Sequence, residues 1–198
     1  MKTVKKQDYK EIINHVFGEH IKAIEETHEI AFQNIKDAAD LIAKSLKSGG
    51  TIFWCGNGGS AADSQHIAAE FVGRFKKDRQ PLRSIALTTD TSVLTCIAND
   101  YSFKEIFSRQ VDALGRKGDV LVAISTSGKS ENIKQALIHA KKKGIKSIGL
   151  LGNNGGVCKN NTDISIIVPS NVTARIQEAH ILIEHLLCEL VECKLDLN

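Results

Sequence analysis

The sequence predicts an α/β domain in which a central parallel sheet carries helices on both faces. Three observations carry this. Short β-rich runs alternate with helical periods from residue 51 onward. One run, Asp119 to Ile124 (DVLVAI), is strongly apolar. Gly-rich and Ser-rich loops stand where strands give way to helices.

The elements follow in order. From about Asp8 to Lys47, Ile13, Val16, Phe17, Ile21 and Ile24, then Ile35, Ala38, Ala39, Ile42 and Leu46, recur at a helical period. One or two amphipathic helices are expected there, stopped by Ser48-Gly49-Gly50. Thr51 to Cys55 reads as a strand, and Ser60 to Phe75 as a helix with Ser60-x-x-Asp63 as a capping box. Ser84 to Thr88 is a strand, followed by short helical stretches through Ala113. After the Asp119–Ile124 strand come a helix from Ser130 to Lys143, stopped by Gly144, and strands at Ile145–Leu151 and Ile164–Val168. Thr173 to about Lys194 is a long last helix. The two prolines, Pro81 and Pro169, fall between elements. The expected division is a helical arm over 1–48, packed on the last helix or on another subunit, and an α/β unit over 49–198.

Composition excludes several functions. The 198 residues suit one domain with an appended arm, and 42 % apolar with 25 % charged residues is ordinary for a chain with a real core. A net charge of +3 and 5 % aromatics argue against nucleic acid and against an anionic membrane. No apolar run is long enough to cross a bilayer. Met1 to Lys10 is polar and no signal-peptide core follows, so a cytoplasmic location is expected. Cys55, Cys96, Cys158, Cys188 and Cys193 form no C-x-x-C pair and read as reduced core thiols.

Ligands of such sheets bind outside the carboxyl ends of the strands. Two loops there can hold an anion. Gly56-Asn57-Gly58-Gly59-Ser60 opens into a helix N-terminus, where free amides favour negative charge. Its loose match to the dinucleotide fingerprint lacks an acidic residue at a convincing position after the next strand, which argues against a nicotinamide enzyme. Ser125-Thr126-Ser127-Gly128-Lys129-Ser130 offers four hydroxyls at another helix start. Ala123 stands where a Walker A loop needs glycine, which argues against nucleotide hydrolysis. One such loop is most simply a helix cap; two in one small domain point to a phosphosugar.

A candidate reaction centre follows the first loop. His66 and Glu70, four apart, share a helix face, and so do Gln177 and His185 on the last helix. His180 and Glu184 form a further i,i+4 pair, which alone reads as a solvated pair. A base and an acid on separate elements can flank a substrate carbon and oxygen; the same His, Glu, Gln and His can equally ligate zinc.

These motifs in order resemble the sedoheptulose-7-phosphate (phosphoheptose) isomerases of the sugar isomerase (SIS) domain group. The matching residues are Gly56-Asn57-Gly58-Gly59-Ser60, Asp63, His66, Glu70, Gly73-Arg74 and Ala98-Asn99-Asp100. Ile124-Ser125-Thr126-Ser127-Gly128, Ser130, Arg175-Ile176-Gln177-Glu178, His180 and His185 complete the set, which spans nearly the whole chain.

The resemblance implies a three-layer α-β-α sandwich around a parallel sheet of about five strands. It implies a cytoplasmic homotetramer with sites shared between subunits. The reaction it implies converts sedoheptulose 7-phosphate to D-glycero-D-manno-heptose 7-phosphate for bacterial lipopolysaccharide or other surface glycans. It implies one zinc ion per subunit on His66, Glu70, Gln177 and His185. The phosphate is expected on Ser125, Thr126, Ser127 and Ser130, and the sugar on Asn57, Gly58, Gly59, Ser60, Glu70, Asn99, Asp100 and Gln177. Glu70 and His185 are the expected proton-transfer pair. Ala174 stands where some members carry Asp, so no carboxylate is assigned there. Two alternatives share the fold and loops. One is a non-catalytic regulator of the type that associates with the DnaA initiator, which lacks the Glu and the last-helix His kept here. The other acts on or senses another phosphosugar.

Overall fold

A computed structural model describes residues 8–197. The first seven residues of the expected arm, and Asn198, lie outside the described residues. The order is α1 (Tyr9–Lys47), β1 (Ile52–Cys55), α2 (Gly59–Val72), β2 (Ser84–Ala86), α3 (Thr91–Asp100), a 3-10 turn at Phe103–Glu105 and α4 (Ser108–Leu114). Then come β3 (Val120–Ser125), α5 (Glu131–Lys142), β4 (Lys146–Gly152), α6 (Gly156–Lys159), β5 (Ile164–Val168) and α7 (Thr173–Lys194). The five strands form one parallel sheet in the order β2-β1-β3-β4-β5.

Side-chain alternation along each strand builds two cores. Ile52 and Trp54 of β1, Val120, Val122 and Ile124 of β3, and Ile148 and Leu150 of β4 face α1, α2 and α7. Phe53, Cys55, Leu121, Ala123 and Leu151 face the opposite layer, built by α4 and α5 with Ile97 of α3. This is the expected three-layer sandwich.

The arm is one continuous helix of 39 residues, about 58 Å long. Asp8 caps it by accepting the Lys10 amide at 2.9 Å, and Gly49 ends it at φ +76°. Its buried side chains, Ala23, Thr27, Ala31, Ile35, Ala38 and Ile42, step along one face. From Ala31 onward that face enters the sheet core beside α7. Nearer the N-terminus, Ile13, Phe17 and Ile21 are exposed, as are Phe32 farther along and Leu182 on α7. Among the described residues no helix is long and apolar enough to cross a membrane.

Three local expectations need correcting. The capping box does not form. The N-cap of α2 is Gly58, at φ +56° and with no side-chain cap, so Ser60 lies inside the helix and is buried. Asp63 instead turns toward α7. The thiols are not all in the core: Cys55, Cys158 and Cys188 are buried, whereas Cys96 and Cys193 are at the surface. The one-turn helix α6 has no counterpart among the expected elements, since four residues carry no period.

Candidate active site

The strand order reverses between β1 and β3, and the ligand crevice of a doubly wound sheet opens at such a reversal. Cys55 pairs with Ala123, so β3 runs two residues past the end of β1 at the same edge of the sheet. The two anion loops of the sequence therefore stand side by side at the crevice. A reciprocal amide pair joins them. Asn57 Nδ2 donates to Asn132 Oδ1 at 2.9 Å, and Asn132 Nδ2 donates to Asn57 Oδ1 at 2.8 Å. The pair uses one donor and one acceptor position of the Asn57 amide and fixes its orientation. Asn132, 3 % exposed, is absent from the expected site residues; an Asn in a helix first turn reads as a local cap, and only the fold brings it to Asn57.

The second loop is shaped by glycines on two segments. Gly128 is left-handed at φ +64°, and a Cβ there would collide with the Gly155 carbonyl; Gly156, at φ +51°, would strike Gly128. A Cβ on Gly152 would collide with the Thr126 carbonyl. Cys158 N donates to Gly128 O at 3.0 Å. The β4–α6 turn thus supports the loop from beneath. Above it the Ser125 and Ser130 hydroxyls meet at 3.2 Å, and Ser127 Oγ accepts the Lys129 amide. Ser130 is the N-cap of α5 and makes no side-chain cap; the Asn132 side chain accepts the Ile133 amide at 2.9 Å, which leaves the Glu131 and Asn132 amides to the loop. Replacing Gly128 by Ala forces both a left-handed non-glycine residue and a backbone displacement. We expect KM for a sugar phosphate to rise about tenfold with kcat within about threefold, read by steady-state kinetics. An unchanged KM would show that this loop does not hold the phosphate.

Helices α2 and α7 supply the reactive groups. His66 Nε2 and His185 Nε2 face each other at 2.8 Å, with rings edge to face. Glu70 Oε1 lies 3.8 Å from His66 Nε2, and its side chain is 25 % exposed, open to a ligand. The Phe75 ring stacks on His185, centroids 5.6 Å apart. Gln177 Nε2 donates to Asp63 Oδ2 at 3.1 Å, and its amide lies against Gly59, where a Cβ would displace it. Burial raises the Asp63 carboxyl above its usual range, partly offset by the Gln177 hydrogen bond and the nearby His66.

The structure thus brings together His66, Glu70 and His185, with Gln177 over the first glycine loop. It does not bring in Asn99 and Asp100. They lie exposed at the far end of α3, bonded to each other at 2.8 Å, and no hydrogen bond joins them to either loop among the described residues. Nor is the His180–Glu184 pair solvated: both side chains are fully buried on α7. Neither ring nitrogen and neither carboxylate oxygen has a hydrogen-bond partner among the described residues. The Leu151 backbone lies beside the His180 ring without reaching hydrogen-bond geometry.

Zinc takes imidazole nitrogen and carboxylate oxygen, so the chemistry of His66, Glu70 and His185 suits it. The described residues hold no closed cage of three or more His, Cys, Asp or Glu side chains. What they show is an opposed imidazole pair with a carboxylate behind it.

Comparison with known proteins agrees with this architecture. The SIS domain family matches residues 16–152. The phosphoheptose isomerase of a Nitratiruptor species is 55 % identical over 174 residues, 88 % of this chain and 93 % of that protein. The solved phosphoheptose isomerase GmhA of Neisseria gonorrhoeae superposes with a TM-score of 0.89 at 44 % identity, covering 94 % of this chain and 100 % of that one. A phosphoheptose isomerase of Francisella tularensis superposes with a TM-score of 0.91 at 39 % identity over the same shares. Identity of this order along nearly the whole chain, on the same fold, places the protein: it belongs to the phosphoheptose isomerase family of SIS-domain proteins.

Proposed function

We propose that the protein is an aldose–ketose isomerase that converts D-sedoheptulose 7-phosphate to D-glycero-D-manno-heptose 7-phosphate. One observation carries this most directly. The Glu70 carboxylate and the His66–His185 pair gather on the face of the helix that leaves a glycine loop, and that loop is joined through Asn57 and Asn132 to a hydroxyl-lined helix start. A phosphate held at Ser125–Ser130 is a remote anchor whose binding energy can orient the reacting carbons.

The reaction moves one proton from C1 to C2 and shifts the carbonyl from C2 to C1. Glu70 takes the C1 proton while an acid, assigned to His185, protonates the C2 oxygen, giving a cis-enediol. Removal of the O1 proton and return of a proton to C2 then gives the aldose. The amides of Gly58 and Gly59 and the Gln177 side chain orient the sugar. Where zinc is bound, His66, Glu70, Gln177 and His185 would hold it, and it would polarise the carbonyl; Glu70 and His185 transfer protons only when they are not ligating it.

The functional unit is proposed to be a homotetramer. Two features support this: the exposed apolar stripe of α1, and the separation of Asn99 and Asp100 from their own chain's loops. A second copy would bring the Asn99–Asp100 pair to the crevice and cover the stripe. The product supplies heptose for lipopolysaccharide or another surface glycan. A charged sugar phosphate does not cross a bilayer unaided, which supports a cytoplasmic site. Neither nucleic acid nor membrane enters this reading as a partner.

The test is incubation with sedoheptulose 7-phosphate in deuterated water, followed by NMR, with zinc and chelator in parallel. The aldose is expected to appear with deuterium at C2. A folded oligomer that turns over nothing overturns the enzyme in favour of a sugar-phosphate sensor. Full activity after verified zinc removal excludes a required metal.

A further inference from the structure

The segment after α2 carries an arginine that no substrate would touch. The Arg79 side chain is 3 % exposed. Its Nη2 donates to the carbonyl of Glu70 at 2.9 Å and its Nη1 to the carbonyl of Phe71 at 2.8 Å. These are among the carbonyls that a helix end leaves unpaired. Its Nε donates to Glu192 Oε1 at 2.7 Å. Glu192 lies on α7 with its side chain 1 % exposed. Its two oxygens also accept the amides of Phe75 at 3.3 Å and Lys76 at 3.4 Å. Phe75 is the residue whose ring stacks on His185, tilted by only 18°. Glu192 is seven residues beyond His185, two helical turns along the same face.

One buried ion pair therefore reaches both proposed proton-transfer residues. Through the carbonyl of Glu70 it fixes the end of α2. Through Phe75 it fixes the plane of the His185 ring. It also ties α2 to α7, the two helices whose spacing sets the distance between base and acid. A buried ion pair is weak as a source of stability, since desolvation offsets much of its attraction. A fork that satisfies two carbonyls and a carboxylate in one geometry is strong as a constraint.

We propose that Arg79 and Glu192 are positioning residues for the isomerisation: the pair holds Glu70 and His185 in register across the α2–α7 interface. This rests on the isomerase reading above. The phosphate loop is supported separately by the β4–α6 turn, so loss of the pair acts on the chemical step and spares substrate capture.

Three variants test this by kinetics and by the ring resonances of His66 and His185. Arg79→Lys keeps the charge and loses the fork; kcat is expected to fall about tenfold, with KM within about threefold. Arg79→Gln is expected to lose about 100-fold in kcat. Arg79→Met with Glu192→Leu removes both charges together, so no unpaired ion is left buried. It is expected to fold and to keep the low kcat, with both imidazole spectra shifted from wild type. A folded double variant with wild-type kcat and unshifted imidazole signals would overturn the proposal. Equal losses of kcat and thermal stability that Arg79→Lys fully restores would also overturn it, reducing the pair to a structural brace. If the wild-type protein itself turns over no sedoheptulose 7-phosphate, the isomerase reading fails. The imidazole spectra then still decide whether the pair sets the histidine geometry.

Discussion

Replacing Glu70 by Gln is expected to lower kcat for the ketose–aldose conversion by about a thousandfold, while KM changes by less than about threefold. The amide matches the carboxylate in shape, so the α2–α7 packing and the contact toward His66 survive. What is lost is a group that can accept a proton from carbon. The phosphate anchor lies on a different loop, held by Gly128 against the β4–α6 turn, and this substitution does not reach it. Deuterium entry at C2 should fall in step with turnover. Metal content measured on the same sample separates two causes, because an amide is also a poorer zinc ligand than a carboxylate. A thousandfold loss at full metal occupancy identifies the base. Wild-type turnover would remove Glu70 from that role and leave His185 and His66 as the remaining candidates.

Legibility in the sequence followed the range of the interaction that fixes each residue. The sheet was legible because the strand runs and the Gly/Ser loops are local patterns. The order β2-β1-β3-β4-β5 then places both loops at the one reversal, where the sequence alone could only count them. The i,i+4 spacing of His66 and Glu70 gave one half of the reaction centre, and the eight-residue spacing of Gln177 and His185 gave the other. That the halves meet is a property of the α2–α7 crossing. Misreadings arose where a local pattern met a long-range override. Ser60-x-x-Asp63 has the form of a capping box. A left-handed Gly58 starts the helix earlier, and Asp63 finds Gln177, 114 residues away. His180 and Glu184 have the form of a solvated pair. Helix α7, however, contributes buried side chains at Ile176, Ala179, Ile183 and Leu187 to the core it shares with α1, α2 and the sheet, so that face never meets water. Asn132, Phe75 and Arg79 act through partners distant in sequence, and no spacing rule announces them.

The buried His180 makes the second large prediction, one of acid sensitivity. Its ordinary value is 6.5, and burial holds the folded-state value down to about 4, with the nearby Leu151 backbone acting in the opposite direction. As pH falls through about 6.5 the unfolded chain takes up a proton on this ring, and the folded protein does not. The unfolded state is therefore favoured progressively down to about pH 4. The contribution is fully present above 6.5 and is lost below it, about 3 kcal/mol in all. Glu184, one turn away, has the reverse sign. Burial raises its carboxyl well above the usual range, so the folded state keeps a proton that the unfolded state releases. In the wild-type protein the two slopes oppose each other through the mildly acidic range, and a single stability curve conceals both. The difference between two proteins isolates one of them. His180→Leu leaves Glu184 in place and removes the imidazole. Urea unfolding of both, at one protein concentration, should show the wild type losing about 3 kcal/mol relative to the variant between pH 7.5 and pH 4. Parallel curves would mean that His180 is protonated as readily in the folded protein as in the unfolded chain, which a fully buried ring with no hydrogen-bond partner among the described residues does not allow.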